Sequence, residues 1–309
     1  TGGFVTVDNS LTLNIAAVNT QETVGILAGG QTSIASTNVT NKAAITTSNG
    51  DGIRASSYFF TNVTNTATIN AGGDTVNGDG IDASNNNIFG GWTDVEGTGD
   101  INITGGSGDG IVATNNQGSV FVGLSGVGYA GKIDPNGGLG NGIKAYITNT
   151  ANNGSIFVRQ AGEITGDANN GIYAKTEGKG VVVVQQLADI GDSGNAVTTD
   201  GVFMQIFNVN NDSGMSFTGD HNIFAADDGV EINTNGASGG ITVDFNVGAL
   251  GATIEAGDIG IDARILNAAN ASSITVKVGN AIGATEIDAG REGIHAETLG
   301  TTGGDIKVS

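Results

Sequence analysis

One four-residue phrase constrains this chain more than any other feature: glycine, then Ile or Val, then a variable residue, then usually Ala. It occurs ten times, at Gly25, Gly52, Gly80, Gly110, Gly142, Gly171, Gly201, Gly229, Gly260 and Gly293, with copies 27 to 33 residues apart. A period of this length across the whole sequence marks a solenoid, in which one turn cannot bury its apolar face alone and stacking supplies the core.

Within the phrase, side chains alternate as in a strand. Ile53 and Ala55 share one face, and Arg54 points the other way. The position after the branched residue reads Leu27, Arg54, Asp82, Val112, Lys144, Tyr173, Phe203, Glu231, Asp262 and His295, which has no common chemistry and predicts a solvent-facing column. The Ile/Val position barely varies, as a buried stack requires.

A second strand follows each phrase, as in Ser119-Val120-Phe121-Val122, Ser155-Ile156-Phe157-Val158 and Ser273-Ile274-Thr275-Val276. A third, shorter one centres on a single Ile, as at Ile69, Ile101, Ile133, Ile164, Ile254 and Ile287. Corners rich in Gly, Asn, Asp and Ser separate them, as at Ser84 to Asn87 and Ala151 to Gly154.

No segment has a helical period. The expectation is an all-β fold: a single right-handed parallel β-helix (a β-solenoid) of about ten turns of ~30 residues, each with three short strands. It would form one continuous body over 1–309. Leucine-rich repeats share the period but need a Leu-x-x-Leu-x-Leu phrase and a helical return, which are lacking.

The formal net charge is −20, with 11 Lys plus Arg, which argues against nucleic-acid or anionic-membrane partners. With no cysteine, there is no disulfide, thiolate metal site or cysteine nucleophile. No apolar run reaches membrane-spanning length, and the N-terminal segment TGGFVTVDNS lacks signal-peptide character.

Before the phrase glycine stands Asp51, Asp79, Asp109, Asn141, Asn170, Asp200 or Asp228 in seven of ten copies. The reading is a corner residue that bonds nearby backbone and forms a ladder between turns. The alternative is a calcium column. The calcium nonapeptide would need Asp where Gly110 stands, so the expectation is no cofactor, with calcium as the minor alternative.

Enzyme chemistry is also not expected. Asp200, Asp227 and Asp228 fall on adjacent turns, as paired carboxylates require, but His221 and His295 lie in no Gly-His-Gly and no Arg-x-Lys follows. Arg159, Arg264 and Arg291 look scattered, without an acidic cluster beside them. His295 reads as a surface histidine. Polysaccharide lyase or hydrolase remains the alternative class, and a subunit of a self-assembling fibre or layer is a third.

The strongest candidate surface is the stretch of the outward column that turns apolar, Val112, Lys144, Tyr173 and Phe203, with Thr114, Tyr146, Lys175 and Gln205 beside it; the binding residues singled out are Lys144, Tyr146, Tyr173, Lys175 and Phe203. Rings on successive turns can stack sugars or partner side chains. Phe89-Gly90-Gly91-Trp92 is a secondary candidate, and Tyr58-Phe59-Phe60 is expected to join the core.

Short Gly-Ile-x-Ala strands, Asn/Gly corners, acidity, no Cys and a lone proline, Pro135, together resemble the passenger regions of Gram-negative autotransporter adhesins. That resemblance implies an extracellular location and a partner that is a glycan or protein of a host or neighbouring cell, with self-association as a further option. It also implies a C-terminal outer-membrane barrel outside this segment as the only membrane contact. Asp305-Ile306-Lys307-Val308 matches the second strand of another turn, so the chain is expected to continue.

Overall fold

The computed structural model describes residues 3–15, 23–30, 35–72, 78–86, 90–135, 139–245, 251–279, 285–301 and 303–309. Every ladder between its strands is parallel, and no helix occurs among the described residues. The chain is a parallel β-solenoid of about nine turns of about 31 residues.

Three faces form the solenoid. The phrase strands, from Ile26–Gly29 to Glu292–Thr298, pair in sequence order into a ten-stranded sheet. The second strands, from Phe4–Asn9 to Ile306–Val308, form an eleven-stranded sheet. The short third strands run from Leu13–Ile15 to Ile133–Pro135 and resume at Ile223–Ala225. Between them Ile133, Ile164, Ile190 and Ile223 are joined only by isolated bridges, so the expected third strand at Ile164 is a single-residue contact.

Register makes the repeat physical. Ile53 pairs with Ile81, Ile81 with Ile111, and Ile111 with Ile143, so like stacks on like along the axis. The second face does the same inwardly with Val63, Val95, Val122 and Val158. These columns are buried, and each such side chain contributes roughly 1.5–3 kcal/mol on leaving water.

The phrase glycine is required by close approach. A Cβ on Gly80 would lie 2.2 Å from Cγ2 of Ile101 and 2.5 Å from the Gly110 carbonyl oxygen. The same two contacts, the third-face Ile and the next glycine's carbonyl, recur from Gly25 to Gly260. The glycine therefore lets the third face fold against the first.

Polar groups inside the second face are matched between turns. Asn9 Nδ2 donates to Asn41 Oδ1 and Asn41 Nδ2 to Asn65 Oδ1, both at 2.8 Å. The column then reaches Tyr129, whose buried hydroxyl accepts from Asn65 Nδ2 at 3.2 Å and donates to the Gly99 carbonyl at 2.8 Å. Along this run the polar side chain of one turn is satisfied by that of the next, and Tyr129, two turns beyond Asn65, closes it.

Two expectations are corrected. Tyr58-Phe59-Phe60 does not enter the core: Tyr58 is 39 % exposed, and Phe60 points outward because Thr61, Val63 and Asn65 take the inward positions of its strand. Phe60 instead packs on Trp92, ring centroids 3.7 Å apart. The variable column is also not uniformly solvent-facing. Val112 is only 9 % exposed, and Asp262 is fully buried beneath Arg264 and His295. His295 is consequently half-buried, with Nδ1 3.0 Å from Asp262 Oδ1.

Candidate binding surface

The outward positions of three successive phrase strands form a grid. One turn contributes Lys144 and Tyr146, the next Tyr173 and Lys175, and the third Phe203 and Gln205, in register. Backbone bonds from Glu177 N to Ile147 O and from Phe207 N to Thr176 O, each 2.9 Å, extend the rows by one position. All five residues singled out by sequence therefore lie on one face within three turns.

Tyr173 and Phe203 stack with centroids 5.1 Å apart and planes 12° from parallel. Their inner faces are used on each other, so the pair offers edges and its outermost faces to a ligand. Ring edges carry the positive end of the quadrupole. The Tyr173 phenol is raised above its ordinary value by burial and then by Glu177.

Lys175 is boxed in at the centre of the grid. Its Nζ lies 4.8 Å from the Phe207 ring, 5.7 Å from the Tyr146 ring and 3.9 Å from Glu177. Tyr146 in turn donates its hydroxyl to Glu177 Oε1 at 2.5 Å. Burial and that carboxylate push the Tyr146 phenol well up, so it remains a donor. Lys144 turns away from the rings and pairs with Asp109 Oδ2 at 3.3 Å. The grid thus joins four residues of the expected five closely, with Lys144 serving the neighbouring corner.

Phe207, 52 % exposed, belongs to this surface and escaped the sequence reading because it lies just past the strand, outside the phrase. A second aromatic pair was missed on the other broad face, where Phe121 and Phe157 stack at 5.7 Å. Beside them Leu124, Arg159 and Val183 help line a groove of about 230 Å³. The signal was present: the same Phe recurs at the outward position of Ser119–Val122 and Ile156–Gln160. Of the secondary candidate at Phe89 to Trp92, Phe89 lies outside the described residues, as does Asn87 of the corner at Ser84; Trp92 donates Nε1 to Asn62 Oδ1 at 2.9 Å.

The corner column is a ladder, as expected. Asp51 Oδ1 accepts from the backbone N–H of Asp79 at 2.9 Å, Asp79 Oδ1 from Asp109 at 2.8 Å, and Asp109 Oδ1 from Asn141 at 2.6 Å. Farther on, Asp228 Oδ1 accepts from Ile259 at 2.9 Å. Each side chain caps the next turn's backbone.

Stacking carboxylates has an electrostatic cost. Burial, then the Asp109 carboxylate, pushes Asp79 up to about 8. Burial, then Asp51, pushes Asp82 up to about 6. These acids, with Asp109, Asn141 and Lys144, line an open groove of about 370 Å³. In the second acidic stretch, burial and then Glu231 push Asp200 up to about 7, and burial pushes Asp228 up to about 6. Arg264 is not isolated from acids as the sequence suggested: its Nη2 lies 3.4 Å from Glu231 and also pairs with Asp262.

Fold and surface define the class of this chain as a parallel β-solenoid repeat protein. No family model matches it, and neither a curated protein nor a solved structure does.

Proposed function

We propose that this chain is an extracellular adhesive solenoid, a rigid stalk whose outward grid on the phrase face engages a glycan or protein of another cell surface. The observation that carries the reading is the grid itself. The Tyr146 and Phe207 rings flank the Lys175 ammonium, and Tyr173 stacks on Phe203 beside them, on a register-locked sheet whose outward positions need no aromatic side chains to fold. The acidic, cysteine-free, corner-rich composition supports a secreted passenger of the autotransporter type.

Binding of the purified chain to cultured epithelial cells and to a glycan array tests this. Replacing Tyr173 and Phe203 together by Ser is expected to abolish retention while circular dichroism stays unchanged. Undiminished binding by that variant, or no binding by the unaltered chain to any cell or glycan surface, overturns the proposal.

A further inference from the structure

On the face made by the second strands, a short run of aromatic side chains stops abruptly. Outward positions in register read Phe121, Phe157, Val183 and Ser216 on four successive turns. Phe121 covers the Phe157 ring from one side, and on the other side the column steps down to the shorter Val183. That loss of bulk leaves the groove of about 230 Å³, lined by Phe157 and Val183 together with Leu124, Arg159 and Gln185.

Leu124 comes from a loop that leaves the sheet at Gly123, whose φ of 68° is left-handed, and returns at Tyr129, whose N–H bonds the Arg159 carbonyl at 2.9 Å. The loop is held from two turns. Ser125 N–H donates to Glu96 Oε1 at 2.6 Å, and Arg159 Nη1 donates to the Gly126 carbonyl at 2.8 Å.

Arg159 departs from the charge pattern of the chain. The net charge is −20, and nine of the eleven lysines and arginines lie within 4.0 Å of a carboxylate. Arg159 pairs with none among the described residues, and the next turn sets the uncharged Gln185 at its position. The other exception, Lys179, is exposed. The Arg159 guanidinium makes one hydrogen bond, to a neutral carbonyl, and its Nε has no partner. A guanidinium offers five donors in a planar fork that matches a carboxylate, so this one has capacity for an anion that the chain does not supply.

The lining selects the ligand. Phe157 and Val183 take a flat apolar face, Arg159 takes a carboxylate, and the Gln185 amide can both donate to and accept from hydroxyls. A carboxylated sugar ring carries all three. The volume is below that of pockets for larger ligands and admits one ring. The negative chain repels a polyanion, which leaves a single acidic sugar ending an otherwise uncharged glycan. We propose that this groove binds a terminal hexuronate, with its carboxylate on Arg159 and its apolar face on Phe157. The site is on a different sheet from the adhesive grid and does not rest on that reading.

Titration of the 309-residue chain with methyl β-glucuronide, followed by NMR, tests this. Saturable binding is expected with a Kd of about 1 mM, the ordinary reach of so small a ligand. Methyl β-glucoside, which lacks the carboxylate, and N-acetylglutamate, which lacks the ring, should each bind about ten-fold more weakly or worse. Arg159→Gln should weaken glucuronide binding about ten-fold or more, with Arg159→Lys between, since it keeps the charge and loses the fork. Val183→Phe continues the ring column into the groove and should abolish binding with Arg159 intact. Lys277→Ala, which removes another cation from the same sheet, should leave the affinity unchanged.

Arg159 also holds Gly126, so Val183→Phe decides the matter should Arg159→Gln release the loop. The proposal is overturned by absence of saturation up to about 30 mM glucuronide. Undiminished binding by Val183→Phe, equal affinity for the glucoside, or equal loss in Lys277→Ala would overturn it as well. Equal binding of N-acetylglutamate would assign the groove to carboxylates of proteins and overturn the sugar.

Discussion

The corner column is built in two chemical versions within one fold. At Asp51, Asp79 and Asp109 it is a run of carboxylates, each accepting a backbone N–H from the next turn. At Asn141 and Asn170 the same position carries amides. These also donate, from Asn141 Nδ2 to Asp109 Oδ1 at 2.7 Å and from Asn170 Nδ2 to Asn141 Oδ1 at 2.8 Å. Asn170 also caps backbone, its Oδ1 accepting from Asp200 N at 3.3 Å, and the Asn170–Asn141 bond joins two side chains without charge. The fold needs the acceptor at this corner; the charge is an added burden.

The largest expected effect tests what the two stretches share. Gly80→Ala and Gly142→Ala should each destabilise by about 3 kcal/mol, the severe end of overpacking, because both would drive a Cβ into backbone. At Gly142 the nearest atoms are Ile164 Cγ2 at 2.5 Å and the Gly171 carbonyl at 2.6 Å. Chemical denaturation of both variants measures this. If Gly142→Ala is tolerated and Gly80→Ala is not, the stretches differ in backbone and the charge explanation loses its footing.

The next effect converts one stretch into the other. Asn141→Asp removes the side-chain bond from Nδ2 to Asp109 Oδ1, leaves the backbone N–H bond to the same oxygen, and sets a carboxylate beside a carboxylate. It should cost about 2 kcal/mol at pH 8 and distinctly less at pH 4, where the new acid is protonated. An equal loss at both pH values would assign the effect to the lost hydrogen bond alone.

Asp79→Asn runs the exchange the other way. The folded chain keeps the Asp79 proton up to about pH 8, whereas the unfolded chain releases it near 3.8. The contribution of this group is therefore fully present below 3.8 and is lost as pH rises toward 8. The variant should be more stable than the unaltered chain by about 1 kcal/mol at pH 8 and no more stable at pH 4, since Asp79 is only partly buried. Melting curves from pH 4 to 8 decide it: parallel curves for the two proteins would show that the carboxylate does not carry the repulsion assigned to it.

These contrasts also explain what was readable in the sequence. The copies of the phrase align with one another, so the Ile column, the Ala column and the corner ladder are legible in the sequence alone. The limits were local. Asp262 was assigned to solvent by its column, yet Arg264 and His295 close over it, which depends on side chains one turn away. The buried Asn ladder was missed because Asn is ordinarily a corner residue. The identical pentapeptides at Thr37 to Asn41 and Thr61 to Asn65 carried that signal, since an inward-facing last residue repeated in register must pair with itself. Asn233 and Glu231 were unreadable as a pair, because their contact depends on rotamers within one strand.

The smallest effect separates surface from scaffold. Tyr173 follows Asn170 in its turn and Phe203 follows Asp200, so the stacked pair straddles the boundary where amide gives way to carboxylate. The rings lie on the outward face and the corner side chains cap backbone, so the two should be energetically independent. A double-mutant cycle with Tyr173→Ala and Phe203→Ala should give a coupling of about 1 kcal/mol, the ordinary worth of an aromatic pair. Neither variant should alter the pH dependence set by Asp79, which lies several turns away. A coupling near zero would mean that the rings sit side by side without holding each other, leaving each face free for a ligand. A changed pH slope would mean that corner and surface respond as one unit, and that the binding proposed for this face would be sensitive to the charge of the column behind it.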